Sequence, residues 1–118
     1  MRQSLGPAAD AVVAVVFVLI GRHVHGHELT IGGIASTLWP FLSGEVAGWA
    51  GLAAARRGGL SLAAGAAVCL ATVAVGMTLR VVAGQGTALP FVLVALGWFG
   101  GTMLGWRLAI RVLRRRAR

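Results

Sequence analysis

Charged residues are scarce in this chain. Its 118 residues include only three acidic side chains and one cysteine, and 12% of them are charged while 58% are hydrophobic. Soluble domains carry about 25% charged residues, so this composition excludes an ordinary soluble protein. The single cysteine, Cys69, excludes an intramolecular disulfide bond.

The sequence also lacks the motifs by which soluble enzymes are recognised. It has no Gly-x-Ser-x-Gly nucleophile turn, no Gly-Lys-Ser/Thr phosphate loop and no His-Glu-x-x-His zinc site. We therefore predict that the chain is not an enzyme. His23, His25 and His27 invite a metal hypothesis, but no cysteine or carboxylate pattern with metal spacing accompanies them. We predict a solvated loop there, with no metal and no cofactor.

Four long apolar segments are what the chain does contain, and they cover residues 7–21, 31–55, 60–82 and 88–110. A membrane span takes about 20 helical residues. Backbone in lipid must satisfy its own hydrogen bonds, and a barrel would show alternating segments of about ten residues, which are absent here. The pattern predicts an all-α integral membrane protein, with one domain over 1–118. It would consist of four transmembrane helices in an antiparallel bundle and a short basic tail at 111–118.

All eleven basic residues are arginine, and they are distributed unevenly between the two sides of such a bundle. Arg22 and Arg80 fall on one side. The other nine fall on the side of the termini: Arg2, Arg56, Arg57, Arg107, Arg111, Arg114, Arg115, Arg116 and Arg118. The positive-inside rule predicts a multi-pass protein of the plasma membrane with both termini in the cytoplasm. The clustered tail arginines indicate attraction to anionic lipid head groups rather than to nucleic acid.

Small residues recur every four positions on the predicted helices. Gly97, Gly101 and Gly105 form a ridge on the fourth helix, and Gly44 and Gly48 belong to a stripe on the second. Helices in lipid associate through close packing at small residues, so these positions predict tight helix–helix or dimer contacts.

Two prolines mark the predicted helices. Pro40 lies inside the second helix, where it removes an amide, frees the carbonyl of Ser36 and predicts a kink. Trp39 beside it is predicted to pack between helices. Pro90 falls in the first turn of the fourth helix, with Thr87 as the predicted N-cap.

Polar residues inside the spans need a partner or a function, because a charge at the bilayer centre costs about 2.5–3.5 kcal/mol on the insertion scale. Glu45 lies deep in the second helix, and Asp10 and Arg107 approach a similar level on the first and fourth. One interpretation is a structural ion pair near the inner interface. The other is a proton- or cation-coupled site that uses Glu45, with Asp10 as a second carboxylate.

A second polar cluster is predicted at the outer face. Arg22 and His25 follow the first helix, while Arg80, Gln85 and Thr87 come from the turn between the third and fourth. In an antiparallel bundle both loops lie at the same face, so these groups meet. Two guanidinium groups at such a mouth suit an anion or a lipid head group, or they extend to the interface without a ligand.

Several strings of residues carry a resemblance to a known family. They are Gly21-Arg22-x-x-His25, Thr37-x-Trp39-Pro40-Phe41-Leu42-x-Gly44, Gly48-Trp49, Gly76-Met77-x-Leu79-Arg80, Gly84-Gln85-Gly86-Thr87-Ala88 and Phe91-Val92. Their order and spacing resemble domain-of-unknown-function family 3054, a family of small bacterial and archaeal membrane proteins, from about Ala8 to Arg107. The resemblance implies a four-helix integral membrane protein and supplies no activity. Glu45 and Asp10 lie outside the matching strings.

Two functions remain open on these observations. The first is a transport or permeation unit for a small solute or ion, acting as a homodimer because four helices enclose little space. The alternative is a non-transporting assembly, regulatory or lipid-contacting subunit whose small-residue ridges pack against another membrane protein.

Overall fold

Four helices account for nearly all of the residues that the structure, a computed structural model, describes, which are 5–117. They are α1 (Leu5–Val24), α2 (Ile31–Ala54), α3 (Leu62–Val82) and α4 (Leu89–Arg116). No strand occurs among these residues, and the all-α prediction is confirmed. Arg2 and Arg118, two of the arginines used in the topology argument, lie outside the described residues.

The bounds of α4 differ from the sequence prediction at both ends. Ala88 rather than Thr87 occupies the N-cap position, and it makes no side-chain cap bond, so the Thr87 cap prediction is wrong. Pro90 lies in the first turn, where its missing amide needs no partner. At the other end the helix continues to Arg116, so most of the basic tail is helical. Three arginines in its last turn face the negative end of the helix dipole.

The helices pack as an antiparallel ring in chain order. Each contacts the next, and α1 also contacts α4; the α2–α3 interface is the most extensive and the α1–α4 interface the least. Two loops, 25–30 and 83–88, therefore lie at one end of the bundle, which we call the histidine-loop end. The start of α1, the 55–61 loop and the end of α4 form the terminal end.

Glycines on α2 explain the tight α2–α3 interface. A Cβ atom on Gly44 would lie 2.6 Å from the Thr72 Cα atom, and one on Gly48 would lie 3.0 Å from the Val68 Cα atom. Only glycine allows the two backbones to approach this closely. The ridge of Gly97, Gly101 and Gly105 behaves differently, because a Cβ on any of them meets no atom within 4 Å. These three glycines face away from the bundle.

Aromatic side chains fill the middle of the bundle. Phe41 and Phe99 are fully buried, and both pack against Phe17, with ring centroids 5.5 and 5.1 Å away. Phe91 completes the group at 6.0 Å from Phe17. Trp39, predicted to pack between helices, is instead 41% exposed on the outside of α2.

Three of the four helices, α1, α3 and α4, are long and apolar enough to cross a membrane. The remaining helix, α2, contains Pro40 and Glu45 and is not among these three. Its Gly44 and Gly48 carry the close packing against α3.

Candidate functional site

A cavity of about 620 Å³ opens at the histidine-loop end, and half of its lining residues come from α1 and α4. Its polar lining residues are Arg22, His25, His27, Ser36, Thr37, Arg80 and Gln85; its apolar ones include Phe17, Val18, Pro90, Phe91 and Val94. Four of the five residues predicted as an outer polar cluster therefore line one cavity. The fifth, Thr87, is not among the lining residues.

Arg22 is fixed by the loop that follows its own helix. Its Nε and Nη2 atoms donate to the Glu28 carbonyl oxygen at 3.0 and 2.7 Å, and Nη1 donates to the Thr37 hydroxyl at 3.1 Å. The Thr37 hydroxyl in turn donates to the Gly33 carbonyl. The guanidinium group is thereby held against α2 with part of its donor capacity unused.

Arg80 is held in the same way on α3. Its Nε atom donates to the Gly86 carbonyl at 3.0 Å, Nη1 to the Gln85 side-chain oxygen at 3.1 Å and Nη2 to the Gln85 carbonyl at 3.2 Å. The guanidinium carbon also lies 4.4 Å from the centroid of the Phe91 ring, a cation–π contact.

The two arginines occupy equivalent places in two equivalent helix ends. Each lies four residues before a glycine with positive φ, Gly26 or Gly84, that ends the helix in the left-handed conformation. The amide of the residue after each glycine donates back to the arginine's own carbonyl oxygen, at 2.9 Å for Arg22 and 2.8 Å for Arg80. In each case the arginine Nε then reaches the carbonyl oxygen six residues further on. The α1–α2 and α3–α4 connections thus share one local structure, in which an arginine and a left-handed glycine together end the helix.

Within residues 5–117, neither guanidinium group has an acidic partner. All six of their hydrogen bonds go to carbonyl, hydroxyl or amide oxygens, and no carboxylate is among the lining residues of the cavity. Glu28 contributes only its main-chain oxygen to Arg22. The cavity therefore carries two formal positive charges that the described part of the chain does not neutralise.

Gln85 also ties the cavity to α2. Its side-chain nitrogen donates to the Ser36 carbonyl oxygen at 3.0 Å. This carbonyl is the one that Pro40 leaves without a helical amide partner. The side-chain oxygen of Gln85 thus accepts a hydrogen bond from Arg80, and its side-chain nitrogen donates one to the Ser36 carbonyl that Pro40 leaves unpaired.

A second polar site lies in the other half of the bundle. Asp10 and Arg107 are 0% and 1% exposed, and the Arg107 Nη2 atom donates to Asp10 Oδ2 at 2.8 Å. A second bond, from Nη1 to Oδ1 at 3.2 Å, makes the pair bidentate. Arg107 also donates to the carbonyl oxygens of Gly59 and Met103. Arg107 therefore lies inside the bundle, although the topology argument also counted it among the arginines on the side of the termini.

Two tryptophan side chains donate further hydrogen bonds to the carboxylate of this ion pair. The indole nitrogens of Trp49 and Trp106 donate to Asp10 at 3.1 and 3.0 Å, so its carboxylate accepts four hydrogen bonds from α2 and α4. The Trp106 ring also lies 4.2 Å from the Arg107 guanidinium carbon. Sequence reasoning missed these donors. Their shared depth with Asp10 at the terminal end is the signal that could have found them.

Glu45 is buried near this pair without joining it. It is 4% exposed, and its Oε2 atom has no hydrogen-bond partner within residues 5–117. Asp10 and Arg107 are the charged groups close enough to act on it electrostatically. The structure thus pairs Asp10 with the arginine and leaves the second acid of this region without an ion-pair partner.

A layer of buried apolar side chains separates the two sites. Phe41 lies between Thr37 and Glu45 on α2, while Phe99 and Met103 lie between Phe91 and Arg107 on α4, and all three side chains are fully buried. Glu45 is not among the residues that line the cavity. In the described ranges, no group of three or more His, Cys, Asp or Glu side chains is placed to hold a metal ion.

Comparison with known proteins identifies a family for this chain. No curated protein and no solved structure matches the chain. A family model described as "Protein of unknown function (DUF3054)" matches residues 8–110, which covers all but the two ends of the chain. That span includes both arginine helix ends and the buried ion pair, and the chain belongs to the DUF3054 family.

Proposed function

We propose that this chain is a four-span protein of the plasma membrane with both termini in the cytoplasm. Although α2 is not among the three helices that meet the length and hydropathy criteria of a membrane span, its 24 residues extend over about 36 Å, more than the thickness of the hydrocarbon core. It also packs along the length of α3, so it crosses wherever α3 crosses. With Arg107 buried in its ion pair, six of the described arginines still lie at the terminal end against two at the histidine-loop end, which favours a cytoplasmic terminal end.

In this orientation the cavity faces the outside, and we propose that it admits a small anionic solute for transport. The observation that carries this proposal is the pair of guanidinium groups, Arg22 and Arg80, in a cavity without a carboxylate. The repeated arginine helix end agrees with this, because transporters are often built from repeats with the binding site between them.

The phenylalanine layer and the Asp10–Arg107 pair close the inner half, so the arrangement supports alternating access rather than an open pore. Transport would require α1 and α4 to separate below the cavity. That separation would break the bidentate bonds between Asp10 and Arg107, so this pair is the inner closure of the proposed path.

Flux into liposomes tests this proposal. The protein is reconstituted and the uptake of chloride, phosphate and acetate is measured against protein-free liposomes. We expect uptake of at least one anion, reduced about tenfold or more by Arg80→Gln because one charge-assisted bond is lost. Arg111→Gln, which removes an exposed arginine of the tail, is the matched control and should leave uptake unchanged. No uptake of any of the three anions above the protein-free level contradicts the proposal.

The outward-facing ridge of Gly97, Gly101 and Gly105 favours a second candidate function, a non-transporting subunit that packs against another membrane protein or a second copy of this chain. Small residues at four-residue spacing are the usual close-contact surface between membrane helices. Gly101→Leu should then reduce the apparent mass of the detergent-solubilised complex or release a co-purifying protein. Gly51→Leu, at another glycine with no neighbour within 4 Å, is the control. An unchanged complex in both variants counts against the ridge as an interface.

A further inference from the structure

The polarity of the cavity changes along its depth. The guanidinium groups and histidines lie at the loop end, where the membrane surface would be, whereas Phe17, Val18 and Val94 lie deeper along α1 and α4. Val94 is 60% exposed and Val18 is buried, so apolar wall continues from the bundle surface to its interior. An inorganic anion needs only the charged part of this cavity. The apolar part requires a ligand with an apolar portion.

We propose that the cavity binds an amphiphilic anion, with one carboxylate or phosphate held by Arg22 and Arg80 and an alkyl or aryl portion lying against Phe17, Phe91 and Val94. The inference rests on the proposed anion site and specifies its substrate class. Each guanidinium group already spends three N–H donors on loop and α2 oxygens and keeps two for a ligand. An anion bridging the two arginines therefore breaks none of the bonds that hold them.

The volume agrees with a ligand of this class. About 620 Å³ lies within the usual range of 300–1,000 Å³ for small-molecule sites, which are mostly apolar with a few placed polar groups. A single alkyl chain with a compact anionic head fits these proportions. Its head group lies at the level of the membrane surface, so the ligand keeps the orientation it has in a lipid monolayer. It comes either from the outer leaflet or from solution, and both sources present the same chemistry to the arginines.

Binding to the full-length protein in phosphatidylcholine nanodiscs tests the inference. The probes are dodecanoate, dodecyl phosphate, inorganic phosphate and the neutral dodecanol, and the measurement is the dissociation constant of each. We expect the two amphiphilic anions to bind at least tenfold more tightly than inorganic phosphate or dodecanol. Arg22→Gln and Arg80→Gln should each weaken dodecanoate about tenfold, because each removes a charge-assisted hydrogen bond.

A neighbouring pair of α4 substitutions tests the apolar part without touching the arginines. Val94→Trp fills the wall of the cavity, whereas Leu93→Trp places the same side chain at an adjacent exposed position that does not line it. Val94→Trp should abolish dodecanoate binding and leave inorganic phosphate unaffected, and Leu93→Trp should change neither. Circular dichroism verifies that every variant keeps its helices.

The outcomes separate the two proposals. In one outcome, inorganic phosphate binds tightly and depends on the two arginines, while dodecanoate binds no more tightly than phosphate. This result overturns the proposal of an amphiphilic ligand and leaves the proposed anion site intact. If dodecanoate, dodecyl phosphate and inorganic phosphate all fail to bind, both the amphiphilic ligand and the anion site are overturned. To distinguish the source, dodecyl phosphate is delivered either in solution or preloaded into the nanodisc. Occupancy from either route supports the inference.

Discussion

Asp10 shows how a costly buried charge is stabilised residue by residue. Its carboxylate accepts two hydrogen bonds from Arg107, one from Trp49 and one from Trp106. An isolated carboxylate at this depth would cost several kcal/mol, and the pair repays that cost only because every oxygen lone pair is used. Glu45 lacks such partners at Oε2, which makes it the group in this region most open to a proton or to a rearranged contact.

Removing one member of this pair should cost more than removing both. Asp10→Leu leaves the Arg107 guanidinium buried without its counterion, so we expect a loss of about 3–5 kcal/mol in the free energy of unfolding. The double variant Asp10→Leu with Arg107→Met replaces both charges by apolar groups and should lose markedly less. Denaturant unfolding in detergent micelles measures the difference. A double variant as unstable as the sum of the single ones would contradict a coupled ion pair.

At the scale of the helix, α2 is the element that organises the bundle. Its glycines bring it against the α3 backbone, its Pro40 frees the carbonyl that Gln85 takes up, and its Thr37 anchors Arg22. The helix that is not among the three candidate membrane spans is therefore the one that contacts α3 most closely and also fixes Arg22 and Gln85.

The close α2–α3 packing gives a prediction for this helix. Gly44→Ala places a Cβ within 2.6–2.8 Å of the Thr72 and Ala71 backbone, so α2 must shift, and we expect a loss of about 1–3 kcal/mol. Gly51→Ala on the same helix meets no atom within 4 Å and should leave stability unchanged. Thermal unfolding in detergent compares the two. Equal midpoints would show that the interface tolerates a methyl group and that the contact is looser than described.

For the molecule as a whole, the two ends of the bundle have different chemistry. The histidine-loop end carries an open cationic cavity, the middle is an aromatic layer, and the terminal half holds a closed ion pair beside a basic surface. This asymmetry is what a transport unit facing one side requires. It also fits the proposed orientation, because the exposed arginines gather at the end opposite the cavity.

The orientation can be tested by labelling single cysteines in intact cells. His23→Cys lies at the histidine-loop end and Arg57→Cys in the opposite loop. A membrane-impermeant maleimide should label the first variant in intact cells and the second only after permeabilisation. The wild-type protein, whose Cys69 is buried, supplies the background. The reverse pattern would place the termini outside and remove the outward-facing cavity from the proposal.

The sequence by itself determined the four helices, their antiparallel order and the meeting of both arginine loops at one end. These follow from apolar length and from the short connections, which are local properties of the chain. It also indicated that Pro40 frees the Ser36 carbonyl, since the missing amide is a fixed consequence of proline.

Only the tertiary structure decided which partners the polar groups take. The sequence alone allowed Asp10 either to pair with Arg107 or to share a site with Glu45. The rotation of each helix about its axis determined that it pairs with Arg107. The same rotations turned Gly44 inward and Gly97 outward, although both belong to similar small-residue stripes. Helix rotation depends on the summed packing of all four helices, so neither the ion pair nor the cationic cavity can be derived from any one segment.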